Sequence, residues 1–530
     1  MNRSYSTDMT ETCPSCHQDT QEGQLFCPHC GYALCPPLQR HQIQAQRAEQ
    51  QSRWSDAVHS WQAALAEISD PSETAMVHAQ VARLFLTRVD DAKAAIEHLS
   101  AADAADTDHD EWFKTLDESL IAQQAHEARF AVHRYRVRSA DISNVVERTY
   151  QFIAVAQSLR SAFHPILQET VDRFPTVVAL RKELAMSAEQ SGDHVQAEAI
   201  YRDLLEANSL DVDALRGLRR VYLGKQNYDA AWCLCRALCE LERANRDEEM
   251  FFNQYATQSP TRASNPLHNA HWSLVDHPFL DGPINDLFET AYEALVRCLG
   301  LKPKSLAIKP KRDGVSLTEA DDLVRIIAYL FEAMPIPSMT VYRSDRTALL
   351  RPVLTQPPSL LIAREGLHHA DSFTTIFRCA RRLARSRPSQ LIAGTYSDHA
   401  ERFKSVQLLL QTLLVFAGHQ SSETQRYDKR LLSGLQKTIK GHVQTQVVQF
   451  ANQIVEERAD IKQWLAGVEL TADRVGFILA NHLQAAIREI ENQSEGIYLL
   501  SAQDRIASLR SFAVSENYIQ VRRIIGHHID

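Results

Sequence analysis

A short motif that recurs after 34 residues is the feature that most restricts how this 530-residue chain can fold. Residues 192–197 (GDHVQA) and 226–231 (QNYDAA) align at that separation. Both end on a small residue, Ala197 and Ala231, where two helices would cross. A repeat of this length predicts pairs of helices, and each pair needs neighbours to bury its apolar faces. The middle of the chain is therefore expected to be a stack of helix pairs.

This period and the small residue at the crossing are typical of tetratricopeptide (TPR) repeats, which the region resembles. Residues 52–57 and 87–92 look like earlier and weaker copies of the motif. Residues 106–174 are predicted to be helical without a clear period, and degenerate repeats are one interpretation. The concave side of such a stack is a surface for peptides or partner helices. The resemblance therefore implies one or more protein partners on the TPR surface.

Four cysteines near the start have the spacing of a metal site. Cys13 with Cys16 and Cys27 with Cys30 are two Cys-x-x-Cys pairs, and ten residues separate the pairs. Two such pairs complete a zinc tetrahedron, so a small zinc ribbon with one zinc ion per chain is expected. Two disulfides or a rubredoxin-like iron site are the alternatives. Four thiolates leave no open position, so the zinc would be structural and the ribbon a protein-docking element.

Composition limits the classes of partner. The chain carries 57 basic and 66 acidic residues, a net charge of −9, which argues against nucleic acid as a partner. Its most apolar stretch, residues 406–417, is interrupted by Gln407 and Gln411 and is too short to span a membrane. With no signal peptide and no disulfide framework, a cytoplasmic protein is predicted.

The second half is predicted to combine helices with a short antiparallel sheet. Helices are expected near residues 283–299 and 319–334, followed by strands near 339–343, 349–354 and 360–362, then helices from 371 to the end. The whole chain is therefore predicted to be mainly helical, with a zinc ribbon at 1–37, TPR-like repeats at 38–250, a linker at 251–269 and an α+β domain at 270–530.

Two carboxylates in the last domain lie one helical turn apart. Glu469 and Asp473 face the same way on a helix, beside an apolar stripe that predicts a core-facing surface. The stripe consists of Leu465, Val468, Ala472, Val475, Leu479, Leu483, Ala486 and Ile490. Charge at the border of a buried face needs a positive partner.

The segment around Glu469 and Asp473 resembles the helix that supplies the third zinc ligand, a Glu, in HtpX-like gluzincin metallopeptidases. Residues 360–367 resemble the edge strand that leads into the His-Glu-x-x-His helix of that family. The resemblance places Arg381, Arg382 and Arg385 where that motif would stand, and no such motif occurs elsewhere in the chain. Arginine neither binds zinc nor acts as a base. The chain as a whole resembles bacterial proteins that join TPR repeats to an HtpX-like domain, including inactive versions.

The arginines of this helix admit three interpretations. They could form a solvated basic face, pair with Glu469 and Asp473 in the former metal cleft, or bind phosphate or nucleic acid. The specific prediction is that Arg381 or Arg385 contacts Glu469 or Asp473. The resulting hypothesis is a protein-interaction scaffold with a degenerate, non-enzymatic peptidase site. The alternatives are a metallopeptidase or other hydrolase with an atypical site, and a nucleic-acid-binding protein.

Overall fold

The computed structural model of the chain describes residues 11–20, 24, 26–32, 34–35, 37–105, 111–257, 259–364, 372–395, 399–419, 426–492 and 500–529. Five sequence predictions lie partly outside these residues. The parts concerned are residues 1–10, 21–23, 25, 33 and 36 of the ribbon, 106–110 of the helical region, 258 of the linker, 365–367 after the last strand, and 371, 396–398, 420–425, 493–499 and 530 of the C-terminal helices. The chain divides into two compact units, Met1–Ser187 and Ala188–Asp530.

The first unit contains a small hairpin followed by paired helices. The hairpin strands β1 (Glu11–Thr12) and β2 (Asp19–Thr20) are antiparallel. The helices are α1 (Pro37–Gln50), α2 (Trp54–Leu65), α3 (Pro71–Leu84, continued by a π-helical turn at Phe85–Val89), α4 (Ala92–Ala105), α5 (Glu111–Ala122), α6 (His126–Ser139), α7 (Val145–Ser158), α8 (His164–Arg173) and α9 (Val178–Ser191), the last of which ends in the second unit.

The second unit begins with helices of the same kind and ends in a larger helical assembly that includes one sheet. Its helices are α10 (His194–Ala207), α11 (Val212–Gly224), α12 (Tyr228–Glu240), α13 (Arg246–Tyr255), α14 (Trp272–Val275), α15 (Pro283–Leu299), α16 (Pro310–Asp313), α17 (Asp322–Ala333), α18 (Ser372–Ala384), α19 (Leu391–Thr395), α20 (His399–Phe416), α21 (Lys429–Thr438), α22 (Gly441–Glu456), α23 (Ile461–Ala480), α24 (Leu483–Glu491), α25 (Ala502–Ala513) and α26 (Glu516–Ile525). Short 3-10 turns lie at Asn269–His271, Pro278–Leu280 and Pro303–Leu306. None of the described helices is both long and apolar enough to span a bilayer.

The helix pairs share one turn geometry. Between the two helices of each pair stands a residue with positive φ, at Ser52, Asp90, Gln124, Arg160, Gly192 and Gln226. Successive turns are 38, 34, 36, 32 and 34 residues apart. The TPR-like period therefore continues through residues 111–174, where α5 pairs with α6 and α7 with α8. The prediction of a mainly helical, TPR-like array is confirmed.

The repeated motif owes its shape to local chemistry. After the left-handed turn at Gly192, the side chain of Asp193 accepts a hydrogen bond from the Gln196 amide at 3.0 Å and caps α10. Asn227 caps α12 in the same way, through the Ala230 amide at 3.3 Å. The caps satisfy amides that a helix start leaves without partners. Each turn thus directs the second helix back along the first.

The three strands in the second unit form a mixed sheet. They are β3 (Thr340–Ser344), β4 (Leu350–Val353) and β5 (Ser359–Ala363), in the order β3-β5-β4. β5 pairs antiparallel with β4 but parallel with β3. The predicted sheet exists, but the prediction that it is antiparallel throughout is wrong. The reason is that β5 inserts between β3 and β4, so the first and third strands run in the same direction.

Helix α23 forms the centre of the second unit. Of its 20 residues 17 are buried, so the helix is enclosed all round. Helix α18 packs closely against it, because Gly476 of α23 leaves room for Phe377 of α18; a Cβ at Gly476 would lie 2.7 Å from that ring. The predicted apolar stripe does not run along one helix, since α23 ends at Asn481, whose φ is 49°. Its last three members belong to α24.

The last helix pair of the repeat region packs on the C-terminal helices. Asp229 of α12 accepts from Arg522 of α26 at 2.9 Å, and both side chains are buried. Arg510 of α25 pairs with Glu240 of α12 at 2.6 Å. Helix α12 therefore belongs to the same compact unit as α18 and α23. The sequence-based boundaries at residues 250 and 270 remain predictions.

Candidate metal centre and buried ion-pair cluster

The two Cys-x-x-Cys segments in the first unit have matching backbones. The Cys13 amide donates to the carbonyl oxygen five residues later at 3.0 Å, and the Cys27 amide does the same at 2.7 Å. The amides of His17 and Gly31 donate back to the first cysteine of each segment at 2.9 Å. Both of these residues have positive φ, 55° and 74°. Such matched turns direct the two thiols of each segment to the same point.

The four thiols meet at one place. All four sulfur atoms lie within 4.8 Å of one another. Cys13 Sγ is 3.7 Å from Cys30 Sγ, and Cys16 Sγ is 3.5 Å from Cys27 Sγ. Four sulfurs at about 2.3 Å from a tetrahedral zinc ion lie about 3.8 Å apart, so the cluster has the dimensions of a four-thiolate metal site. The cysteines are free rather than paired in disulfides.

The backbone around Cys27 favours the form of the thiol that binds metal. Burial raises the pKa of Cys27, but hydrogen bonds from the backbone N–H groups of Cys30 and His29 and from the Cys16 and Cys13 thiols outweigh it, and the pKa is lowered to about 6. The pKa of Cys16, in the same cluster, is raised to about 12. The thiolate is the metal ligand. Within the described residues, these four cysteines are the group of at least three Cys, His, Asp or Glu side chains placed to hold a metal ion.

In the second unit, Glu469 and Asp473 of α23 are 0% and 1% exposed. Arg381 of α18 contacts both: its Nη2 lies 2.7 Å from Glu469 Oε2, and its Nε donates to Asp473 Oδ1. Arg385 donates to the same Glu469 oxygen. The predicted contact between these arginines and these carboxylates is confirmed. The carboxylates lie in the interior rather than at the border of a buried face.

Two further arginines complete the cluster, and the sequence analysis missed both. Arg402 of α20 donates to Glu469 Oε1, and Arg505 of α25 donates to both oxygens of Asp473 at 2.8 and 2.9 Å. Each continues an apolar helix stripe. Arg402 precedes Val406, Leu409, Leu410 and Leu413 on the buried face of α20, and Arg505 precedes Leu509, Phe512 and Ala513 on that of α25. A charged residue in register with such a stripe is the signal that could have located them.

Other arginines of α18 point elsewhere. Arg382 Nη1 donates to the Leu350 carbonyl of β4 at 3.2 Å, and Arg378 pairs with Glu489 of α24 at 2.7 Å. The basic arc of α18 is therefore divided between the carboxylate pair, the sheet and α24. Among the three arginines that the resemblance places at the peptidase motif, Arg381 and Arg385 meet the carboxylates and Arg382 does not.

The cluster is electrostatically saturated. Burial alone would raise the pKa of Glu469, but Arg385, Arg402 and Arg381 together hold it well below its usual value. Burial also holds the pKa of Arg385 well below that of a free guanidinium, although Glu469 opposes the shift. Each oxygen of the two carboxylates accepts from at least one guanidinium. A carboxylate bound in this way is a weak base and offers no free oxygen to a metal ion.

Close packing supports this arrangement. A Cβ at Gly394 of α19 would lie 2.8 Å from the Arg385 carbonyl oxygen and 3.0 Å from its Cβ. The residue must therefore be a glycine for α19 to lie against Arg385. Among the described residues, Arg385 Nε has no hydrogen-bond partner, so the guanidinium is bound only at its far end.

Comparisons with known proteins do not identify a family for this chain. No protein-family model matches the sequence, and no curated protein matches it. Among solved structures, the crystal structure of the P58(IPK) TPR domain at 2.5 Å matches with 11% identity, over 93% of this chain and 99% of that one. The TM-score is 0.17, too low for a comparison of folds. The TPR-like character of this chain therefore rests on its own turns and helix pairs.

Proposed function

We propose that this protein is a non-catalytic protein-interaction scaffold that combines a structural zinc ribbon, TPR-like repeats and a metallopeptidase-like domain without a working active site. One observation carries the proposal: both oxygens of Glu469 accept from arginines, in the place where the family resemblance expects a zinc ligand. The ion pairs occupy the carboxylate oxygens of Glu469 and Asp473, which a catalytic site would need free.

Metal-assisted hydrolysis requires ligands with free lone pairs, an open coordination position and a base. Arg381 and Arg385 supply none of these, since a guanidinium only donates hydrogen bonds. Their positive charge instead stands where a zinc ion would balance Glu469. On this proposal the ion pairs replace the metal as the structural centre of the domain. A fold can persist in this way after its chemistry is lost.

Zinc is the metal that we assign to the four cysteines. Four soft thiolate ligands at tetrahedral distances suit zinc or iron. A small site with all four positions closed by cysteines is typical of structural zinc. The role of the ribbon is then to fold a short segment that has little core of its own.

The helix pairs supply the interaction surface. Exposed apolar side chains occur on the first helices of two successive pairs, Tyr150 of α7 at 42% and Met186 of α9 at 40%. Apolar groups of this kind on a repeat surface favour a protein partner. Nucleic-acid binding by the arginines of α18 is disfavoured, because Arg381 and Arg385 are buried in ion pairs and do not reach a phosphate.

A capture experiment with the full-length protein tests the scaffold function. Proteins that bind wild type should be lost or much reduced with the Tyr150→Ala, Met186→Ala variant. The matched control is Ile96→Ala, which removes an apolar side chain that is 49% exposed on α4, the second helix of its pair. Retention of every partner by the double variant contradicts the assignment of the first-helix surface.

A further inference from the structure

A groove of about 180 Å³ opens in the second unit between α12, α13 and the start of α24. Its lining includes Trp232, Arg236, Phe252, Tyr255, Leu483 and Gln484. The Trp232 and Phe252 rings stack at a centroid distance of 5.6 Å, and Trp232 Nε1 donates to the Phe252 carbonyl at 3.0 Å. These contacts fix an aromatic wall. None of these residues takes part in the ion-pair cluster.

Arg236 is a buried cation beside this wall. It is 4% exposed, and its guanidinium lies among the aromatic faces of Trp232, Phe477 and Tyr518 at 4.9 to 5.0 Å. Its Nη1 donates to the Tyr518 hydroxyl at 2.9 Å and its Nη2 to the Ala513 carbonyl at 3.4 Å. In the described part of the chain, no carboxylate forms an ion pair with Arg236, and its Nε has no hydrogen-bond partner. A buried charge without a counterion is costly, so an anion beside it would be stabilised.

Glu240, the acidic residue of α12 nearest to Arg236, does not act as its counterion. This residue, which lines the groove one turn after Arg236, has its charge balanced by Arg510 through two hydrogen bonds of 2.6 and 2.8 Å. The opposite wall adds positive potential instead. Helix α24 begins here, so the backbone N–H groups of Leu483 and Gln484 lack intrahelical partners, and its first turn contains no acidic residue. A guanidinium without a carboxylate partner among the described residues and a helix N-terminus thus line one groove.

We propose that this groove binds a ligand that carries one carboxylate and one apolar group. The carboxylate would lie between Arg236 and the start of α24, and the apolar group against Trp232 and Phe252. Helix N-termini and guanidinium groups are the usual carboxylate partners. The groove has the volume of about six liquid waters, which suits one amino-acid residue or a small organic acid rather than a folded partner.

N-acetyl-leucine is the test ligand, and N-acetyl-leucinamide is its uncharged counterpart. Saturation-transfer NMR with the full-length protein should detect the acid with a Kd of about 1 mM, as expected for a ligand of this size, and the amide much more weakly. A tetrapeptide ending in leucine identifies the source of the ligand: tighter binding than the single residue indicates a peptide C-terminus, and equal binding indicates a small acid.

The variant Gln484→Glu makes the test specific. Gln484 is exposed, and a carboxylate in the first turn of a helix does not disturb folding. It should nevertheless repel the ligand and raise the Kd at least about fivefold. Gln463→Glu, an equivalent change in the first turn of α23, should leave the Kd unchanged. Equal binding of acid and amide, an unchanged Kd with Gln484→Glu, or no binding at about 20 mM acid overturns the proposal.

Discussion

Arg381 Nη2 lies 2.7 Å from Glu469 Oε2, and both side chains are buried. The two residues are 88 positions apart in the sequence and lie on α18 and α23. These helices pack closely where Phe377 of α18 lies against Gly476 of α23. The pair joins the two helices in the interior of the second unit. Around it four guanidinium groups meet two carboxylates in the core of the second unit.

Loss of Glu469 should destabilise the second unit strongly. Glu469→Ala leaves Arg385 and Arg402 buried without a counterion, at a cost of about 3–5 kcal/mol in the free energy of unfolding. Glu456→Ala is the control, because Glu456 is exposed on α22 and its removal should cost less than about 0.5 kcal/mol. Urea denaturation of both variants measures the difference. Equal stabilities would mean that the cluster is dispensable for folding.

An apolar replacement of Glu469 must also replace the arginines that would otherwise stay buried without a carboxylate, Arg385 and Arg402. Replacing only Glu469 and Arg381 should recover little, since Arg385 and Arg402 would remain unpaired and Asp473 would lose one partner. The triple variant Glu469→Leu, Arg385→Met, Arg402→Met keeps Arg381 and Arg505 on Asp473. Because apolar residues can replace a buried ion pair at little cost, it should unfold within about 2 kcal/mol of wild type. A triple variant no more stable than Glu469→Leu alone would contradict this.

Much of this arrangement could be predicted from local sequence patterns. The 34-residue period located the helix pairs, because each pair turns and caps itself with neighbouring residues. The cysteine spacing located the four-thiol cluster, because each Cys-x-x-Cys segment forms its turn with neighbouring residues. Arg381 and Arg385 were placed against Glu469 and Asp473 through complementary charge and a family resemblance.

What could not be predicted depends on contacts distant in sequence. Arg402 and Arg505 reach the carboxylates from helices whose packing on α23 no local pattern reveals. The direction of β3 relative to β5 depends on which strand occupies the middle of the sheet. The contact of Asp229 with Arg522, 293 residues later, likewise requires the tertiary structure. The helical period predicted that α23 has one apolar and one exposed face, whereas the structure buries the helix on all sides.

Stability of the second unit should fall as the pH drops from 7 to 5. Burial lowers the pKa of His527 and of His277 to about 4, with smaller contributions from Arg522 and Arg474. An unfolded histidine titrates near pH 6.5. Between about pH 4 and 6.5 the unfolded chain therefore binds protons that the folded chain does not, and stability rises with pH. Glu469 does not contribute in this window, because its pKa is lowered and its effect is lost only in stronger acid.

The expected size is up to about 2 kcal/mol at pH 5 for His527 and less for the partly exposed His277. Urea denaturation at pH 7 and pH 5 measures it. His527→Gln should reduce the pH dependence, whereas His442→Gln, at an exposed position, should not. A pH dependence that is the same in both variants would exclude His527 as its source.

The cysteine cluster should bind one zinc ion per chain. Elemental analysis of full-length protein is expected to give one equivalent of zinc, and the variant Cys13→Ser, Cys27→Ser to give none. Cys298→Ser, a half-buried cysteine of the second unit, is the control and should retain the metal. Iron in place of zinc would correct the identity of the metal. Zinc that persists in the double variant would reveal a second site.

Metal-dependent peptide cleavage is the measurement that tests the central claim most directly. With Glu469 and Asp473 bound by arginines, the full-length protein should not cleave casein or a peptide library above the rate without protein, at any zinc concentration. Cleavage that a chelator stops and that the Cys13→Ser, Cys27→Ser variant retains would show a working metal site outside the cysteine cluster. That result would contradict the assignment of this protein as a non-catalytic scaffold.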